Sequence, residues 1–120
     1  MLFGSSEVAT RTGPPTALAQ FGCWNTYYVA PDVDTLAHAL LLHPTSGAAL
    51  VMGSTTLTSA SGDIAFGKLL AAQLASGSLT VGEAVLAAKQ ALLAQGGGGL
   101  ADIELGWTIL GDPAIVVGGA

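Results

Sequence analysis

Charge is what this sequence has least of. Asp, Glu, Lys and Arg make up 9% of its 120 residues, where soluble domains carry roughly a quarter. Only Arg11, Lys68 and Lys89 are basic, against eight acids, for a net charge of −5. That argues against a nucleic-acid partner, because no set of cations exists to displace counterions from phosphates. Cysteine is nearly absent too. Cys23 alone rules out an internal disulfide framework and any cysteine-only metal site, and leaves the redox compartment open. A clean membrane-spanning run is also missing. Residues 35–62 hold no Asp, Glu, Lys or Arg and are long enough to cross a bilayer. They also hold His38, His43, Pro44 and many Ser and Thr, and their periodicity changes midway. The segment is expected to be a helix, a turn and a buried strand, with no membrane span. The opening stretch, through Pro15, has neither the basic nor the apolar region of a signal peptide.

What is abundant is apolar. Ala, Leu, Val and their kin reach 51%, which excludes a disordered tail. The length suits one domain or part of one, and a chain of this size buries roughly two-thirds of its unfolded surface, enough for a single core. Residues 1–15 show no periodicity and are expected to be a loop-like start, with an α/β core over 16–117. Gly13-Pro14-Pro15 signals a turn. The run from Thr16 to Gly22 fits a buried strand. Asp34 is the expected N-cap of a helix from Thr35 to Leu42, ended by Pro44. Ala48 to Gly53 fits a second buried strand, apolar on both faces as parallel sheets require. A Ser/Thr-rich loop from Ser54 to Gly62 leads to a helix over Asp63 to Ala75, with Phe66, Leu69, Leu70 and Leu74 at helical spacing.

Thr80 and Glu83 form a capping box opening a helix that runs to about Gln95. Gly96 to Gly99 end it, and no Lys-Ser/Thr follows to make them a phosphate loop. Gly106 to Leu110 is a short apolar segment, Gly111-Asp112-Pro113 a turn fixed by the Asp112 side chain, and Ala114 to Val117 the expected last strand. Alternating strands and helices argue for a parallel or mixed α/β sheet. Three strands are few for such a sheet, so further strands are expected upstream.

In open α/β sheets ligands sit beyond the carboxyl ends of the strands. Two segments put polar residues there: Gly22-Cys23-Trp24-Asn25-Thr26 and Gly53-Ser54-Thr55-Thr56. If the two strands are neighbours, these loops form the walls of a pocket, lined by Trp24, Asn25, Ser54, Thr55 and Thr56. Cys23 then sits where a nucleophile belongs, with Gly22 allowing close backbone approach. A lone cysteine also serves as a small buried hydrophobe, and Trp24, Tyr27 and Tyr28 serve packing as readily as substrate contact. His38 falls mid-helix and His43 near a helix end, without acidic neighbours, so both are expected as satisfied structural histidines and not as a metal pair.

The stretch Gln20-Phe21-Gly22-Cys23-Trp24-Asn25-Thr26-Tyr27-Tyr28-Val29 resembles the nucleophile segment of the gingipain family of cysteine peptidases. Later landmarks follow in that family's order. Leu36-Ala37-His38-Ala39-Leu40-Leu41 resembles its next helix, Gly47-Ala48-Ala49-Leu50-Val51-Met52-Gly53-Ser54 its next strand, and Val81-Gly82-Glu83-Ala84 with Ala88-Lys89-Gln90 its following helix. Gly106-Trp107-Thr108-Ile109-Leu110-Gly111-Asp112-Pro113-Ala114 resembles its closing motif.

The resemblance implies a caspase-like fold: a mostly parallel sheet flanked by helices, of which this chain looks like the C-terminal half. It implies a peptide or protein substrate, no cofactor and no metal, and an upstream half of the domain as partner. It points to an exported or cell-surface bacterial protein. By position Cys23 carries over as the nucleophile, and its backbone N–H as an oxyanion donor. The family's histidine follows the strand before the cysteine, in a His-Gly segment, and no histidine precedes position 38 here. Three functional expectations follow. The chain is part of a cysteine endopeptidase whose histidine comes from elsewhere, an inactive remnant or binding module of the same fold, or an unrelated small α/β domain with a structural cysteine.

Overall fold

A computed structural model describes residues 4–96 and 100–118. Among these residues three strands, β1 (Thr16–Gln20), β2 (Ala48–Ser54) and β3 (Trp107–Gly111), form one sheet in the order β1-β2-β3. β1 and β2 run parallel, with Leu18 opposite Val51 and Gln20 opposite Gly53. β2 and β3 run antiparallel, with Met52 opposite Ile109. The sheet is therefore mixed, one parallel and one antiparallel pair, as the parallel or mixed α/β reading of the sequence allowed; the mostly parallel sheet that the resemblance implied is not what these three strands form.

Side chains alternate across a strand, and β2 uses both faces. Val51 packs with Val8, Ala37 and Leu40. These come from two short helices, α1 (Ser5–Val8) and α2 (Leu36–Leu41). Leu50 and Met52 face the other way, into a larger cluster with Phe66, Leu70, Val85, Ala88, Leu92, Ile103 and Trp107. That side is built by α3 (Ala60–Ala75), α4 (Val81–Ala94) and α5 (Ala101–Gly106). Trp107 lies between two rings, with centroids 5.0 Å from Phe21 and 4.8 Å from Phe66. Helices thus cover both faces of the central strand, which is why β2 is apolar from Ala48 to Gly53.

Several boundaries differ from the sequence expectation, each for a local reason. The loop-like start contains the single turn α1, closed by the Gly4 N–H donating to the Glu7 carboxylate at 2.9 Å. Thr35 caps α2 in place of Asp34, its hydroxyl accepting from the His38 N–H at 3.3 Å. The helix expected from Asp63 starts at Ala60, because the Ser59 hydroxyl accepts from the Gly62 N–H at 3.1 Å. Of the four glycines after α4, Gly97 to Gly99 lie outside the described residues.

The end of the chain is the largest correction. The last strand is Trp107–Gly111, and residues 114–117 make no ladder beyond one bridge between Thr80 and Val116. Instead this segment closes the start of α4. The carbonyls of Ile115 and Pro113 accept from the N–H groups of Val81 and Gly82 at 2.8 and 2.9 Å. The first N–H groups of a helix lack partners within it, and the segment supplies them. Asp112 makes the expected turn, its carboxylate accepting from the Ala114 N–H at 2.9 Å. The Thr80–Glu83 capping box forms as expected. The Thr80 N–H and hydroxyl donate to the Glu83 carboxylate and hold its pKa below the ordinary carboxylate value.

Candidate active site

The chain leaves β1 at Gln20 and turns sharply. Gly22 has φ +119°, and a Cβ there would lie 2.9 Å from the Asn25 amide nitrogen. The Asn25 side chain needs that space, because it donates to the Phe21 carbonyl at 2.7 Å. Trp24 has φ +60°, a left-handed conformation uncommon for a bulky residue. Such strain persists only where the surroundings fix it. Here the Trp24 N–H donates to the Thr56 carbonyl at 3.1 Å, and the Thr26 N–H to the Ser54 carbonyl at 3.0 Å. The two post-strand loops are therefore joined by backbone hydrogen bonds, with Thr26 fully buried between them.

Gly53 makes this approach possible. A Cβ at that position would lie 2.8 Å from the Gln20 carbonyl oxygen and 2.9 Å from Thr26 Cγ2.

Cys23 stands exposed at the head of this turn. Its sulfur lies against Thr58. The thiol donates to the Thr58 carbonyl at 3.2 Å, the Thr58 N–H donates to Sγ at 3.3 Å, and Thr58 Oγ1 lies 3.7 Å away. The Thr58 hydroxyl donates in turn to Asp63 Oδ2 at 2.8 Å. Asp63 stands in the first turn of α3 and is 8% exposed, and its Oδ1 is buried without a hydrogen-bond partner. Beside Asp63, a depression of about 370 Å³ is lined by Phe21, Asp63, Ile64, Gly67, Lys68 and Ala71.

The expected pocket walls divide. Trp24 is exposed, its ring edge-on to Tyr27 at 5.0 Å, and Asn25 holds the turn. Ser54 is fully buried, its hydroxyl donating to the Thr56 carbonyl at 3.0 Å. Thr55 Oγ1 donates to the Gly106 carbonyl at 3.0 Å, and Thr56 Oγ1 reaches the Asp102 carbonyl at 3.4 Å. None of the three faces a ligand: the Ser54 hydroxyl closes the loop on itself, and those of Thr55 and Thr56 bind the loop to α5, which presents the carbonyls of Asp102 and Gly106 at that spot. Sequence reasoning missed Thr58, Asp63 and Phe21. A signal did exist: Ser59 is a good N-cap, and a helix begun there carries Asp63 in its first turn, back toward the Cys23 loop.

Both histidines have local partners. His38 Nδ1 lies 3.4 Å from the Thr35 N–H and 3.3 Å from the Val33 carbonyl. His43 Nδ1 accepts from the Ser46 N–H at 3.0 Å. Among the described residues, no hydrogen bond joins either to Cys23, and no three of His, Cys, Asp and Glu cluster as metal ligands. No described helix is long and apolar enough to cross a membrane.

The family model of peptidase family C25, the gingipain family, matches residues 5–118. No curated protein and no solved structure matches the chain. With nearly its whole length matched, the chain belongs to peptidase family C25.

Proposed function

We propose that this member of peptidase family C25 carries the nucleophile-bearing part of a cysteine endopeptidase site in a caspase-like domain, with Cys23 as the nucleophile. The observation behind this reading is the placement of Cys23. It is exposed at the carboxyl end of β1, on a turn held by Gly22 and Trp24 and closed by the loop after β2. A histidine would take the thiol proton, the sulfur would attack a peptide carbonyl, and the carbonyl π electrons would move onto oxygen. The Cys23 backbone N–H is the proposed donor to that oxyanion. Collapse of the adduct would expel the amine, protonated by a histidine, and leave a thioester that water hydrolyses.

That histidine is proposed to come from an upstream segment with the family's His-Gly motif, since His38 and His43 are engaged by Thr35, Val33 and Ser46. The same observation favours a second reading, a binding module that has kept the fold without the chemistry. Hydrolysis of a peptide amide decides between them. The chain would be assayed with an upstream His-Gly segment, joined covalently or added in trans. Turnover that disappears in Cys23→Ala supports the peptidase. A complex that forms with no turnover supports the binding module.

A further inference from the structure

We infer that Thr58 and Asp63 are positioning residues for the Cys23 sulfur. The inference rests on the reading of Cys23 as nucleophile, and its geometry is independent of where the histidine comes from.

Three observations carry it. Thr58 meets the sulfur with both sides of its backbone. Its N–H donates to Sγ at 3.3 Å and its carbonyl accepts from the thiol at 3.2 Å. The hydroxyl of the same residue is tied to Asp63 Oδ2 at 2.8 Å. Asp63 is more than nine-tenths buried, and its Oδ1 has no hydrogen-bond partner. A buried carboxylate oxygen without a partner is costly, and rare enough to need a reason. Capping α3 does not supply one, because the Ser59 hydroxyl already accepts from the Gly62 N–H.

The chemistry follows from which bond each form of the sulfur can make. The thiol makes both contacts. When a base takes the proton, the bond to the Thr58 carbonyl is lost and the N–H donor remains, now facing an anion and shortened by its charge. Asp63 holds Thr58 in place through this change, because its carboxylate fixes the hydroxyl and hence the orientation of the residue. Thr56 and Ser59 on either side have anchors of their own, so without the tether only the Thr58 peptide between them is free to turn away, and the sulfur loses its orientation toward a substrate.

Cys23 is the sole cysteine, so the infrared S–H stretching band of the chain reports this thiol alone. In the wild type a single band displaced to the low-frequency side by hydrogen bonding is expected. In Thr58→Val and Asp63→Ala it should broaden and move toward the frequency of a free thiol, and in Thr58→Ser it should return to the wild-type position. Alkylation of Cys23 by iodoacetamide should fall about tenfold in Thr58→Val, the size of one lost hydrogen bond to a charged group, and recover in Thr58→Ser. Circular dichroism confirms that each variant is folded. If Asp63→Ala fails to fold, the similarly sized Asp63→Leu takes its place. It cannot accept from the Thr58 hydroxyl, so its band should move as in Asp63→Ala, and an unchanged band in folded Asp63→Leu likewise overturns the part played by Asp63. An unchanged band in folded Thr58→Val overturns the inference, and an unchanged band in folded Asp63→Ala overturns the part played by Asp63. Neither result depends on peptidase turnover. Loss of the peptidase reading with a shifted band, or the reverse, separates the two claims.

Discussion

The ammonium of Lys89 donates to the carbonyl of Trp107 at 2.7 Å and to that of Glu104 at 2.8 Å, and so fastens the end of α5 and the start of β3 to the middle of α4. One of the chain's three basic residues is thus spent on backbone carbonyls where a helix gives way to a strand. Last-turn carbonyls lack partners within their own helix, and a cation there also meets the favourable end of the helix dipole. Lys89→Met keeps the length of the side chain and removes the donor. It should lower unfolding stability by about 2 kcal/mol, read as a lower urea midpoint with an unchanged slope.

The same residue makes a pH prediction. Burial pushes the Lys89 pKa below its ordinary value of 10.5, and the nearby Glu104 carboxylate pulls it partly back. Between the lowered value and 10.5 the unfolded chain binds more protons than the folded one, so stability rises with pH across that window. The rise should be present in the wild type and missing in Lys89→Met when the two are compared at each pH by chemical denaturation.

At the acid end the sign is the same. The Glu83 pKa is lowered by hydrogen bonds from the Thr80 N–H and hydroxyl, and the Glu7 pKa by bonds from the Ser6 side chain and the Gly4 N–H. Both groups support the fold above the ordinary value of 4.5 and lose that support as pH falls through their lowered values. Melting temperatures recorded from pH 7 down to pH 3 should decline less steeply in Glu83→Gln than in the wild type. A matched decline would remove the carboxylate from the account.

Asp112→Ala should cost stability and nothing else. Its carboxylate caps the turn through the Ala114 N–H, which orients the carbonyls that close α4. A loss of about 1 kcal/mol is expected, the usual size of such a side-chain cap, with Cys23 alkylated at the wild-type rate. A change in thiol reactivity at unchanged melting temperature would move Asp112 into the site.

The 120 residues alone should hydrolyse no peptide at a measurable rate, since proton transfer to the leaving amine is typically worth 10²–10⁴-fold and both histidines are engaged in local hydrogen bonds. Adding a segment with a His-Gly motif should raise turnover from that baseline, and Cys23→Ala should abolish it. Turnover by the chain without that segment would mean that one of its own histidines, freed from its partner, does the work.

Where local chemistry decides the outcome, the sequence was readable. Leu50 and Met52 against Val51 announced a strand buried on both faces, and Thr80 with Glu83 announced the start of α4. The exposed Cys23 after Gly22 could be read the same way. Decisions taken at long range could not be read. Ile115, Val116 and Val117 are better strand formers than Gly106 to Leu110, yet β3 is the segment that β2 can reach. The hydroxyls of Thr55 and Thr56 turned inward because acceptors from residues 106 and 102 stand behind them. α5 was hidden because Asp102 and Glu104 interrupt its apolar pattern and glycines precede it. The partnership of Thr58 with Cys23 spans 35 positions, beyond the reach of any local pattern.

β1 stands at one margin of the sheet, with β2 its sole neighbour among the described residues. Strands in a sheet repeat at about 4.8 Å. A further strand laid parallel along the open side of β1 would end one such repeat from Gln20, and the residues after it would emerge beside Cys23. The sheet's own spacing therefore sets the working distance between this sulfur and whatever group a neighbouring strand delivers. A base carried there needs no long arm, and choosing it becomes a matter of which residue follows that strand.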